Sequence, residues 1–219
     1  MTYLLRLVAC MFVFLSFNAK ALVINGCAIE ANTSCPNADL SGAYLYDANL
    51  SNADLSNANL NDADLTFANL TYANLTFANL AFANMNDANL DGANLTDATL
   101  YRVGLIDVNL SNADLTNVNL FGSDIYSSSL IGANLSNADL TDAILFDSNI
   151  YGANLSGTNL SNSDLTNAIL TNATYNDQTI FPSGFDPIAA GMSYVPVPAA
   201  AWLFGSALVG LGLMRGRNG

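Results

Sequence analysis

The groups in this 219-residue chain that could do chemistry are 17 aspartates, the single glutamate Glu30 and three cysteines. There is no histidine, and the five bases are Arg6, Lys20, Arg102, Arg215 and Arg217. Between residues 22 and 194 only Arg102 opposes all 18 acids. Nucleic-acid binding through a basic surface is excluded by sign, because nothing there could neutralise phosphates. General acid–base and nucleophilic catalysis draw mostly on His, Glu, Lys or Cys, and residues 38–172 contain none of them. Asp87 and Asp107, among Asn-rich neighbours, could offer oxygen ligands to Ca²⁺, although solvated carboxylates are the simpler reading. No cofactor is expected. Cys27 and Cys35 stand eight residues apart. In an oxidising compartment they suggest a small disulfide-closed cap; in a reducing one they would be two free, buried thiols.

The elements that must position these groups repeat every five residues. In LTFANLTYANLTFANL, from residue 65, a large apolar residue returns at each fifth place. From 38 to 172 the chain reads as 27 uninterrupted pentads centred on Leu40, Leu45 and onward to Leu170. The centre is Leu in 24 of these, Met85, Ile125 and Ile150 being the exceptions, so the interior is built from one kind of side chain. Two places earlier the residue is small, Ala in 19 pentads, which puts a small and a large side chain on the same side of a short extended segment. Asn or Asp fills the place between them in 21 pentads, pointing outward. A helix would scatter these leucines around its circumference.

The pattern A(D/N)LxX resembles the pentapeptide-repeat family. The resemblance implies an all-β fold, a right-handed quadrilateral parallel β-helix with four pentads to a coil, leucines along the axis and small residues beside them. Charge spacing supports a 20-residue coil. Stacked residues lie about 4.8 Å apart, where like charges repel, and Asp87 and Asp107 are the only acids within the repeats separated by 20. Almost seven coils would give a rod about 30 Å tall. Phe67, Tyr72, Phe77 and Phe82 then fall on four successive sides, an aromatic belt. The expected organisation is a signal peptide over 1–21, an N-terminal cap over 22–37, the β-helix over 38–172, a C-terminal cap over 173–187, a linker over 188–194 and a sorting signal over 195–219. A solenoid needs such caps because its last leucines would otherwise face water.

Both ends read as export signals. Arg6 precedes an apolar run over residues 7–17 and then Ala19-Lys20-Ala21, the small-x-small pattern of a signal-peptidase site, with cleavage expected after Ala21. Leu7-Val8-Ala9-Cys10 is similar to a lipoprotein acylation box, but it sits early and apolar residues continue beyond it. At the other end come Val195, Pro196, Val197, Pro198 and Ala199, an apolar segment over 199–214 read as one transmembrane helix, and Arg215 and Arg217. This end resembles the PEP-CTERM class in its VPLPA-like variant, with Val197 in place of the usual Leu. The resemblance implies an exosortase-type processing protease in a Gram-negative bacterium, transient inner-membrane anchoring, and release to the surface. An ordinary C-terminal anchor is the alternative.

Uninterrupted pentads leave no loops from which to build a concave site, so an enzyme is not expected. The function expected is an exported, non-catalytic solenoid of the envelope or biofilm matrix. The alternative is an acidic mimic of duplex DNA that binds a topoisomerase, by analogy with pentapeptide-repeat proteins that protect gyrase. The interaction patch expected is Ile106, Tyr126 and Phe146 on one face with Tyr101 and Phe121 on the adjoining one, since contiguous exposed aromatics mark an interface; stabilisation of the sheet through cross-strand contacts is the alternative. Its partner would be an exopolysaccharide, another envelope protein, or a second copy in a homodimer. On another side Ser56, Thr76, Thr96, Thr116, Ser136 and Ser156 form a polar row. It resembles an ice-binding array only superficially.

Overall fold

A computed structural model describes residues 22–197. Each pentad makes one side of a square coil and one corner. At the corner a β-turn closes from the N–H of the small residue to the carbonyl of the preceding leucine, as from Ala43 to Leu40 at 3.0 Å. The second turn residue has positive φ at every fifth position from Asn32 to Asn172. The first does not, which makes these type II turns and accounts for the Asn, Asp and Gly found there. Between corners a short extended segment pairs in parallel with the residue 20 positions on, from Ser34↔Asp54 through Asn154↔Thr174. The central side chains therefore stack in four columns, and those from Leu40 to Leu160 are essentially unexposed. Each buried leucine contributes roughly 1.5–3 kcal/mol. The fold is a quadrilateral parallel β-helix.

The N-terminal end departs from the expected boundary. Cys35 occupies a central, inward place and Ser34 already pairs with Asp54, so the coils begin before residue 38. The cap is a hairpin of β1 (Leu22–Ile24) and β2 (Cys27–Ile29), antiparallel with Ile24 opposite Cys27. Asn25 and Gly26 both have positive φ, the geometry an Asn-Gly pair favours in a two-residue hairpin. A disulfide joins Cys27 to Cys35, with Cα atoms 5.4 Å apart, and fastens the hairpin over the first coil.

At the other end the register slips to 21 residues at Asn159↔Ile180. Tyr175, Phe181 and Phe185 pack ring on ring, with centroids 5.5 and 5.2 Å apart. The expected linker over 188–194 is not a linker. The Asp186 carboxylate accepts the N–H groups of Ile188 and Ala189, the chain turns back, and Met192 is buried. β3 (Thr174–Tyr175) then pairs in parallel with β4 (Ser193–Tyr194). The Tyr194 hydroxyl donates to Asp177 at 2.7 Å, a bond that holds its pKa above the ordinary tyrosine value. These residues return to the rod because their backbone groups complete a coil edge that would otherwise go unpaired. Among the described residues there is no helix. The expected signal peptide and transmembrane helix lie outside them.

Candidate interaction surface

The outward groups of the extended segments are committed to the scaffold. The Asn69 side-chain oxygen accepts the Thr71 N–H at 3.1 Å while its amide donates to Asn49 in the preceding coil at 3.4 Å. Asn74 on Asp54 and Asn79 on Asn59 repeat this at 3.1 and 3.2 Å. The place demands an oxygen for the turn, which is why Asn or Asp recurs, and an amide above a carboxylate lets the columns bond rather than repel. The Ser41 hydroxyl and N–H both donate to Asp39 and hold its carboxyl below the usual carboxylate range. Part of the polar row is spent in the same way: Thr116 donates to Asp114 and accepts from Asn134 at 2.8 Å, and the Thr96 hydroxyl donates to Asn94.

Within the repeats the corners carry most of the exposed large apolar side chains. Phe67, Tyr72, Phe77 and Phe82, the expected belt, are exposed and occupy the left-handed turn position, with φ between 56° and 60°. A bulky residue there costs roughly 1–2 kcal/mol. Tyr72 shows how such a ring is accommodated. It lies over Gly92 in the next coil, where an added Cβ would fall 2.4 Å from the ring, so that glycine is required by the close approach.

The structure divides the expected patch between two corners. On one, Phe82 meets Tyr101 edge to face at 5.4 Å and Tyr101 stacks on Phe121 at 5.6 Å. Arg102, also in the left-handed region, lays its guanidinium over Tyr101 at 5.5 Å while its stem runs along Gly122. On the next corner Ile106, Tyr126 and Phe146 follow one another, with Tyr126 and Phe146 38% and 36% exposed, and those two rings make no comparable pair. Lower on that corner Tyr46 stacks with Tyr44 and meets Phe67 edge-on at 5.5 Å.

The second corner is built differently inside. The turns beginning at Leu105 and Ile125 close through a hydroxyl instead of directly. The Val108 N–H donates to Ser128 Oγ at 3.1 Å, and that hydroxyl donates to the Leu105 carbonyl. Ser148 does the same for Ser128 and Ile125. Gly104, between these corners, lacks the usual side-chain acceptor, and Asn86 from the preceding coil takes the Ile106 N–H at 2.9 Å.

Asp87 and Asp107 are stacked, exposed carboxylates, and no cluster of three or more metal-ligating side chains exists among the described residues. Val195 of the expected sorting element donates its N–H to Tyr175, whereas Pro198 and Ala199 lie outside the described residues. Sequence reasoning placed Phe82 in the belt and gave Arg102 no role. Applying the 20-residue stack across neighbouring columns would have brought both beside Tyr101.

This chain belongs to the pentapeptide-repeat family, whose model, Pentapeptide repeats, matches in 8 copies over residues 31–62, 58–97, 104–142 and 143–174. It is similar to HetL, a pentapeptide repeat protein involved in heterocyst differentiation regulation from the cyanobacterium Nostoc. The two are 34% identical, the match covers 71% of this chain and 77% of that one, and the TM-score is 0.35. A pentapeptide repeat protein from the cyanobacterium Cyanothece 51142 is 36% identical over 42% of this chain and 63% of that one, with a TM-score of 0.42. Another, from the Arabidopsis thaliana thylakoid lumen, is 26% identical over 42% and 65%, also with a TM-score of 0.42. The match thus spans less than two thirds of the last two. No curated protein matches the chain.

Proposed function

We propose that this protein is an exported, non-catalytic solenoid that serves as a structural or interaction element of the cell envelope or exopolysaccharide matrix. It is delivered by a signal peptide over 1–21 and processed by an exosortase-type protease at residues 195–199. The observation that carries the reading is the Cys27–Cys35 disulfide closing the first coil, which suits an oxidising compartment outside the cytoplasm. The two export-like ends of the sequence agree with it. Among the described residues many outward polar groups bond to one another, as Asn74 does to Asp54, which suits a scaffold or interaction role.

The test is mass spectrometry of the mature protein after cell fractionation. The exported form is expected to begin after Ala21 and to lack residues 199–219, and changing Pro196 and Pro198 to Ala is expected to trap uncleaved protein in the inner membrane. An intact peptide containing Arg217 from extracellular protein would overturn the processing step. Cytoplasmic protein with reduced Cys27 and Cys35 would overturn export. That outcome would favour the second reading, which rests on the acidity of the rod: a duplex-DNA mimic acting on a topoisomerase.

A further inference from the structure

We propose that the corner formed by Phe82, Tyr101, Arg102 and Phe121 is a binding site for a neutral, extended polysaccharide whose pyranose rings lie one per coil along the rod. For its biological setting this rests on the matrix reading above. Three observations converge on the corner. Its three rings follow one another with successive centroids 5.4 and 5.6 Å apart, close to the coil spacing, Phe82 standing edge-on to Tyr101 and Tyr101 stacked on Phe121. It holds the only cation between residues 22 and 194. And that cation lies over the Tyr101 ring at 5.5 Å, which holds the one positive charge of the rod and its aromatic surface together at a single place.

Sign and shape then select the ligand. A polyanion is repelled by the 18 acids of the body, and a second copy carries the same charge. A cationic ligand would prefer the aspartates elsewhere to the one corner that carries an arginine. What remains is neutral, presents flat apolar faces to aromatic rings, and has hydroxyls for the donor fork of Arg102. A pyranose chain has all three properties, and its repeat is about one coil spacing long. The spacing of the rings also argues against a globular partner, whose surface has no reason to recur at that interval.

The experiment uses the purified full chain, titrated calorimetrically with cellohexaose as the neutral probe and alginate oligomers as the acidic one. Cellohexaose is expected to bind. Tyr101→Ala should weaken it about tenfold, the equivalent of roughly 1.4 kcal/mol. Arg102→Gly should weaken it while the thermal midpoint holds or rises, because the substitution relieves backbone strain, and a merely structural arginine would not separate the two readouts. The pair Tyr126→Ser with Phe146→Ser should leave binding unchanged. The proposal is overturned by no binding of millimolar cellohexaose, by alginate binding as tightly, or by loss confined to the Tyr126 and Phe146 pair. Sedimentation showing self-association that Tyr101→Ala abolishes would make the occupant a second copy and overturn it too. Fractionation decides the export reading separately, since this titration does not depend on where the cell puts the protein.

Discussion

Truncating Leu115 to Ala tests the inward assignment where the rod has least freedom to adjust. Leu115 is fully buried mid-rod, its N–H bonded to the Asn134 carbonyl at 2.7 Å and its own carbonyl accepting from Val118. The truncation removes three carbons, a transfer loss of about 2.4 kcal/mol at roughly 0.8 kcal/mol each. The cavity adds to this. Leu95 and Leu135, stacked on either side, are held in register by the inter-coil hydrogen bonds and cannot close the space without breaking them. The cost is therefore expected near the upper part of the observed range, about 3–5 kcal/mol. Thr116, one residue along, points outward but shares bonds with Asp114 and Asn134, so Thr116→Ala should cost only about 0.5–1.5 kcal/mol. Urea unfolding followed by circular dichroism compares them. Equal losses, or a loss below about 1 kcal/mol for Leu115→Ala, would refute the packing argument.

Ser128→Ala should destabilise the rod by about 1–3 kcal/mol in the same assay, because the Val108 N–H and the Leu105 carbonyl both lose the hydroxyl that joins them; an unchanged midpoint would mean that this turn closes without it. Tyr194 should titrate later than an ordinary tyrosine when followed by its phenolate absorbance. Its folded pKa is raised by the bond to Asp177, so the stability it contributes is fully present below the ordinary value of 10.0 and lost as pH climbs through the folded value. Protection of the 193–195 amides, taken relative to their base-catalysed intrinsic exchange, should fall over that alkaline interval, and Tyr194→Phe should remove that fall.

Much of the scaffold was legible because a single solution satisfies the spacing. A leucine every fifth place with a small residue two before it fits neither a helix nor a flat strand, and the 20-residue coil implied by the family resemblance was favoured by the placement of aspartates. The cap hairpin was hidden although Asn25-Gly26 is a strong local turn signal, because its strands are only three residues long, too short to show an alternating pattern. The return of residues 188–194 was hidden for a physical reason. Met192 and the Asp186 turn have no period, and what fixes them is the open edge of a coil far away in sequence. The division of the aromatic patch between adjoining faces follows from the 20-residue stack, but which of its rings touch does not. Tyr101 and Tyr126 are close in chain and in height, but adjacent corners face different directions, and whether two rings touch depends on side-chain geometry that spacing does not supply.

The constant 20-residue register also ties this molecule's length to its orientation. Duplicating one pentad ahead of Leu100 would preserve every local rule: turn, small residue, leucine and outward amide. Yet it would rotate everything downstream by a quarter turn, carrying Tyr101 and Phe121 away from Phe82 and giving new neighbours to the residues that stack across the insertion. Only insertions of a whole coil leave the surface aligned. The chain thus behaves like a four-toothed gear, in which growth by single repeats is structurally silent for the core but reassigns the face that any partner meets.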